Sequence, residues 1–436
     1  MRICVAGLWH LGSVTAACLA AAGHEVVGFD EDPKVVAGLS EGRPPLFEPG
    51  LADLIAQGLT TGRLAFAATV KNAAEKADVY WVAYDTPVDE NDTADVAYVV
   101  DRVKQALPFL PDGCLVLISS QLPVGSTRAI AQHFNSLGSG HKLSFGYSPE
   151  NLRLGQAIDV FTKPDRVVVG LESEADHERV SILLRPFTSN VEFMSVESAE
   201  MTKHAINSFL AMSVAYANEI AAVCEIVGAD AAEVARGLKT ESRIGPKAYV
   251  APGTAFSGGT LARDISFLSE LSRRQDLELL LIPAVRTSNE RHRAWPYHRL
   301  KALLGGLKGR RIALLGLTYK PGTDTLRRSY ALELAKILIA AGAEICAFDP
   351  VIAQWPAGFD LPIALARSTR EAVRDADAAV IATEWPEFRN EDWSVLATTM
   401  RRPILIDPKG YLGARRADFG GVTYAVVGRT STTAQS

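Results

Sequence analysis

The stretch that most constrains this chain is its beginning, MRICVAGLWHLGSVTAACLAAAGHEVVGFD. RICVAGL reads as a buried strand, LGSVTAACLAAAG as an Ala-rich helix ended by Gly23, and EVVGFD as a second strand ending in Asp30. A strand, a glycine turn, a helix and a parallel strand pack back on one another through a right-handed crossover, so the chain opens as a parallel α/β sheet. Gly7 and Gly12 permit a tight turn and close backbone approach. The helix N-terminus behind them offers N–H donors to a pyrophosphate, and Asp30 can accept from a ribose 2′-hydroxyl. Gly7, His10, Leu11 and Gly12 are therefore the turn candidates for a dinucleotide. An acid at Asp30 disfavours a 2′-phosphate, so NAD is expected over NADP. The fingerprint G-x-G-x-x-G is imperfect here, reading GLWHLG, with Trp9 at the central glycine, where a side chain most directly obstructs pyrophosphate. On this motif alone, a fold kept as structure without a cofactor stays open.

At 436 residues the chain exceeds one ordinary core. VYWVAY, CLVLISS, KLSFGY and RVVVG continue the strand pattern, giving a doubly wound domain over 1–195. From Val196 the spacing becomes helical for about thirty residues without Pro or internal Gly, the length of a spine between domains. Helical segments continue to 305, broken by a Gly/Pro-rich loop ending in FSGGTLARD. GRRIALLGLTYK then restarts the strand signature, and SYALELAKILIAAG, EICAFD, AAVIATE and PILID fill a third, α/β domain over 306–425. The polar residues 426–436 are expected to be a disordered tail. The fold class is α/β: two Rossmann-like doubly wound domains joined by a long central helix and a helical region.

With 48% hydrophobic and 22% charged residues and a net charge of -5, nothing points to nucleic acid or an anionic membrane as a partner. No apolar run is expected to reach the ~20 residues of a bilayer span, and the N-terminus lacks the order of a signal peptide. A cytoplasmic location is the resulting expectation. The five scattered cysteines read as buried thiols, without metal or disulfide spacing.

Further motifs carry chemistry. YSPENLRLG puts Glu150 at a strand terminus, where α/β ligands bind. AEMTKHAINSFLA places Lys203 and Asn207 at i, i+4 on one helix face. SRIGPKAYVAPGTAFSGGTLARD supplies Arg243, Tyr249 and the glycine loop, and LLGLTYKPGTDTLRRS supplies Lys320 and Arg327. In order and spacing these stretches resemble the UDP-glucose/GDP-mannose 6-dehydrogenase family from Met1 to about Leu412. The family's patterns are visible in Thr86-Pro87, SPENL, Lys203 with Asn207, RIG at Arg243, Pro252-Gly253, GLTYKPGTD, FDP at Phe348 and TEWPEF from Thr383.

The resemblance implies an NAD-dependent oxidation of carbon 6 of a nucleotide sugar to a carboxylate in two hydride transfers. It also implies a homodimer built on the central helices. Asp30, Lys34, Thr86, Glu150, Arg263 and Arg327 match cofactor contacts. Leu152, Lys203, Asn207, Tyr249, Gly253, Phe256 and Lys320 match substrate contacts, and Arg243 matches an arginine that reaches the partner subunit's substrate. The family's reactive loop reads like F-G-G-S-C-F-P-K-D, which places Thr260 at the catalytic cysteine, Arg263 at the lysine, and Asp264 at the retained acid. Gln121 stands near the nicotinamide where the family has Thr, and Leu154 replaces a common Glu.

The cysteine thiolate attacks the bound aldehyde and leads to a thioester; a threonine hydroxyl is far less acidic and crowded. Three outcomes are open: release of the 6-aldehyde, direct oxidation of the aldehyde hydrate, or loss of redox chemistry in a nucleotide-sugar-binding protein. The first hydride step needs only a base and an alkoxide donor, roles open to Asp264, Lys203 and Asn207.

Overall fold

The computed structural model describes residues 1–87, 89, 94–138, 140–150, 152–256, 259–413, 421–430 and 432–433. Its contacts divide the chain into two units, Met1–Ile206 and Asn207–Ser436.

The first unit holds an eight-stranded sheet in the order β3-β2-β1-β4-β5-β6-β7-β8. The strands are β1 Arg2–Ala6, β2 Glu25–Phe29, β3 Leu64–Ala67, β4 Val79–Val82, β5 Leu115–Ile118, β6 Ser144–Tyr147, β7 Val167–Leu171 and β8 Val191–Met194. All neighbours are parallel except β6 and β7. Central strands are apolar on both faces because helices cover both. Ile3, Val5, Trp81 and Leu117 join one core, and Cys4, Ala6, Tyr80 and Ile118 the other. The order reverses direction between β1 and β4, which opens a crevice at their carboxyl ends. The expected strands formed; β3 and β8, short and partly exposed, were not read from the sequence.

The second unit carries helices Ala231–Thr240, Thr260–Arg274, Leu281–Arg293 and Trp295–Leu304, then a seven-stranded sheet in the order β11-β10-β9-β12-β13-β14-β15. These strands are β9 Arg311–Leu315, β10 Glu344–Phe348, β11 Ile363–Leu365, β12 Ala378–Ile381, β13 Ile404–Ile406, β14 Thr423–Ala425 and β15 Thr432–Thr433. They are parallel except for the last pair.

Helix Val196–Val227 begins in the first unit and ends in the second. It corrects one expectation: by length and composition it could cross a bilayer, with a mean hydropathy of 1.5 over its most apolar stretch. Its small apolar residues are instead used in packing. Ala211 and Ala215 pack with Ile265 and Val285, and Ala221 and Cys224 pack with Ala231 and Val427.

The start of the expected tail is likewise corrected. Gly428 N donates to Glu225 at 2.9 Å, Arg429 pairs with Asp230 at 2.6 Å, and Val427 is buried. Small residues allow this close approach, since a Cβ on Gly428 would come 2.2 Å from that of Ala231. Residues 431 and 434–436 lie outside the described residues. All five cysteines are free and buried, as expected.

The two sheets repeat one local device. Gly7 and Gly316 both sit at positive φ, +88° and +87°, and donate to Phe29 O and Phe348 O at 2.9 and 2.8 Å. Leu8 N donates to Asp30 and Leu317 N to Asp349, at 2.8 and 2.6 Å. A serine hydroxyl then returns to the turn in each, from Ser13 to Leu8 O and from Ser329 to Leu317 O. The outcomes differ because helix His10–Ala21 starts at the first turn, whereas residues 317–329 intervene before helix Tyr330–Ala340. Asp349 is also buried and accepts from Trp385 Nε1 and the Thr318 hydroxyl. Asp349 is thereby committed to the fold, while Asp30 lies partly open.

Candidate active site

In the first unit the candidates gather at the carboxyl edge of the sheet: the Gly7 turn after β1, Asp30 after β2, Thr86 after β4, Gln121 after β5 and Glu150 after β6. The turn tests whether a dinucleotide fits. A Cβ on Gly7 would lie 2.6 Å from Tyr84, and one on Gly12 would lie 1.7 Å from Gly7 O, so both positions require glycine. Trp9 does not share that need. Its φ is -76°, accessible to any residue, and its side chain is half exposed rather than packed into the turn. The leading N–H groups of helix His10–Ala21, which lack intrahelical acceptors, face the turn. Asp30 accepts from Leu8 N and Asp32 N, one bond per oxygen, which leaves lone pairs for a ribose hydroxyl. These residues fit NAD.

His10, a turn candidate, is engaged otherwise: its Nε2 lies 2.9 Å from Glu48 Oε2. Glu48 is buried and also accepts from Gly155 N and Ala157 N at 2.7 and 2.8 Å. Burial works against its charge, but the bonds from His10 and the two amides outweigh it and hold the carboxyl below its ordinary pKa. Glu48 thus ties the pyrophosphate turn to the segment that follows Glu150. Lys34 is exposed on the first turn of helix Pro33–Ser40, whose N-terminus is capped by Asp32.

Beyond β4 and β5 two loops are joined. Thr86 Oγ1 donates to Gln121 O at 2.8 Å. The next residues are held from the long helix: buried Glu200 accepts from Gly125 N, Thr127 N and Thr127 Oγ1, and His204 Nε2 lies 3.2 Å from Leu122 O. Lys203, between them, is buried and donates Nζ to Glu150 O at 2.5 Å. Glu150 Oε2 accepts from Leu152 N, and Leu152 packs against the core. Leu154 is exposed.

In the second unit the strongest feature is a buried carboxylate. Asp264 is fully buried on helix Thr260–Arg274 and accepts a short hydrogen bond from Asn207 Nδ2. Thr260 is the first residue of that helix and is exposed, behind Gly259 at φ +101°. Ser257 and Gly258 of the loop lie outside the described residues. Arg263 N donates to Gly259 O at 2.9 Å, starting the helix.

The preceding loop is braced by three side chains. Asn218 Oδ1 accepts from Gly253 N at 2.9 Å, His292 Nε2 donates to Gly253 O at 2.6 Å, and Asn289 both accepts from Phe256 N and donates to Phe256 O at 2.9 Å. Burial lowers the His292 pKa despite the Gly253 bond, so the ring is neutral and donates through Nε2. Tyr249 and Arg243 are exposed, the latter paired with Glu241 at 2.9 Å. Lys320 and Arg327 follow β9 in the segment before helix Tyr330–Ala340, Lys320 partly buried and Arg327 exposed.

Sequence reading missed Glu48, Glu200, Asn218, Asn289 and His292. Asn289 and His292 share a helix face at i, i+3, which was the available signal.

A glycine turn at the switch point of a parallel sheet, with an acid after its second strand, defines a dinucleotide-binding domain; a second Rossmann-like sheet accompanies it. The chain belongs to the UDP-glucose/GDP-mannose dehydrogenase family, the NAD-dependent nucleotide-sugar dehydrogenases: residues 1–188 match its NAD binding domain, 197–291 its central domain and 313–414 its UDP binding domain. It is 34% identical to a UDP-glucose 6-dehydrogenase of Pseudomonas aeruginosa, with 98% of each chain covered. Among solved structures it resembles a UDP-glucose dehydrogenase from Pyrobaculum islandicum (TM-score 0.86, 29% identity, 98% of each chain). It also resembles a UDP-D-ManNAc dehydrogenase from Pyrococcus horikoshii (TM-score 0.83, 27% identity, 98% of this chain and 99% of that one).

Proposed function

We propose that this chain oxidises carbon 6 of a UDP-sugar, of glucose or N-acetylhexosamine type, and stops at the 6-aldehyde after one hydride. The observation that carries the reading is Thr260 at the first position of helix Thr260–Arg274, the place the family resemblance gives to the catalytic cysteine. A thiol at a helix N-terminus is driven towards thiolate by the helix field. A threonine hydroxyl there stays protonated and cannot trap the aldehyde as a covalent adduct.

The first step needs less from the protein. NAD, when bound, accepts the hydride. Asp264, buried and oriented by Asn207, takes the hydroxyl proton, directly or through a water, as the C6–O bond gains its second pair. Lys203, one turn earlier on the helix that carries Asn207, offers a cation to the developing alkoxide. The retained Asn207–Asp264 pair favours an enzyme over a binding protein that has lost its chemistry.

Incubation of the purified chain with NAD and a panel of UDP-glucose, UDP-N-acetylglucosamine, UDP-N-acetylmannosamine and GDP-mannose tests this. About one NADH per sugar and an aldehyde by mass spectrometry are expected. A ratio near two would overturn the single oxidation. An absence of NADH with every sugar, while NAD binds, would overturn the enzyme reading.

Assembly as a homodimer in a reducing, cytoplasmic compartment belongs to the same proposal. Phe209, Tyr216 and Val223 recur every second helical turn on the long helix and are 62%, 48% and 54% exposed, a continuous apolar stripe suited to a second copy. Phe209→Glu with Val223→Glu is expected to shift the mass in light scattering from dimer to monomer; an unchanged mass would remove this interface. The free, buried cysteines suit a reducing compartment.

A further inference from the structure

The acid after β2 has a neighbour, Glu31, that the nucleotide fingerprint does not account for. Glu31 Oε2 lies 3.2 Å from Arg102 Nε. Arg102 stands on helix Val96–Ala106, with its guanidinium carbon 3.6 Å above the Tyr98 ring and its Nη1 donating to Tyr98 O at 3.1 Å. Tyr98 packs edge-on against Tyr84, the residue that closes over Gly7. Burial raises the Tyr84 pKa, and the carboxylates Glu31 and Asp30 raise it further while Arg102 opposes them. An arginine beside the ribose-binding acid is the group that receives a 2′-phosphate in NADP-dependent relatives of this fold. Here that arginine is present, but its Nε is taken by a carboxylate and its plane is laid on an aromatic ring.

We propose that the Glu31–Arg102 pair is a second determinant of NAD over NADP, acting with Asp30: Glu31, the residue after Asp30, withholds the Arg102 guanidinium from a 2′-phosphate. Asp30 refuses the phosphate by repulsion and by preferring a hydroxyl donor. Glu31 adds its own charge and keeps Arg102 neutralised. Removal of Asp30 alone therefore leaves the phosphate facing an arginine already engaged.

The test is a set of four variants: Asp30→Ser, Glu31→Gln, the double variant, and the double variant with Arg102→Ala. Binding of NADH and NADPH is followed by calorimetry and nicotinamide fluorescence, which need no sugar and no turnover. Each single variant is expected to improve the NADPH-to-NADH affinity ratio by about tenfold, and the double by more than the product of the two, on the order of a thousandfold. Arg102→Ala in the double background is expected to cancel most of that gain. The idea is overturned if Asp30→Ser alone gives the full change, if Glu31→Gln adds nothing to it, or if Arg102→Ala leaves NADPH binding intact. An unchanged far-UV circular dichroism spectrum and a cooperative thermal unfolding transition serve as the folding check. Glu31→Gln, partly exposed and conservative, keeps the comparison available where a triple variant is unstable, because NADPH affinity that does not rise in it at low salt also overturns the idea.

Discussion

Thr260→Cys is expected to raise the NADH yield per sugar from about one to about two and to replace the 6-aldehyde by the 6-carboxylate as product. The substitution exchanges a secondary hydroxyl for a thiol at the first position of helix Thr260–Arg274, with no intervening residue to screen it from the helix N-terminus. The partial positive charge there stabilises thiolate over thiol, and the thiolate adds to the aldehyde carbon before it diffuses away. The adduct keeps a hydrogen on carbon 6, so a second hydride can leave and water can open the resulting thioester. Thr260 is exposed, so the change disturbs no core packing and the variant should melt where the parent does. Quenched-flow product analysis by mass spectrometry, with NADH counted in the same samples, checks it. A Cys variant that still releases only aldehyde would show that the loop does not place residue 260 at carbon 6.

Asp264→Asn should lower kcat by about 10² to 10⁴ while the affinity for NAD is unchanged. The carboxylate is fully buried and accepts a hydrogen bond from Asn207 Nδ2 at its Oδ2. An amide of nearly the same shape keeps the volume but cannot accept a proton, so the loss isolates proton transfer from packing. A rate within threefold of the parent would remove Asp264 from the chemistry and leave it a structural partner of Asn207. Steady-state kinetics with calorimetric NAD binding distinguishes the two.

The parallel sheets were legible because their signal is local. Apolar runs of strand length alternating with helical spacing leave few packings, and RICVAGLWHLG followed by EVVGFD is sufficient for a β-α-β unit with its acid at a strand end. The weaker strands β3, β8, β11 and β14 gave little signal, being short and set at or near sheet edges where alternation is incomplete. The apolar length of helix Val196–Val227 was also misjudged, because alanines and single polar residues divide it to the eye, although its overall hydropathy is high.

The sequence by itself determined the fold class, the glycine turn, the acid that ends the second strand and the loop that holds Thr260, since each rests on backbone conformations or periods spanning a few residues. Tertiary structure alone decided which groups hold these in place: Glu200 on amides 75 and 73 residues away, His10 on Glu48, Arg102 on Glu31, and Asn289 on Phe256. Trp9 belongs to this second class too. Its residue type argued against a cofactor, and its negative φ and half-exposed side chain are facts that the residue type does not give. The physical reason is that a hydrogen bond or ion pair between distant segments carries no periodic trace in either. Its energy becomes available only after the sheet has brought the two strand ends together.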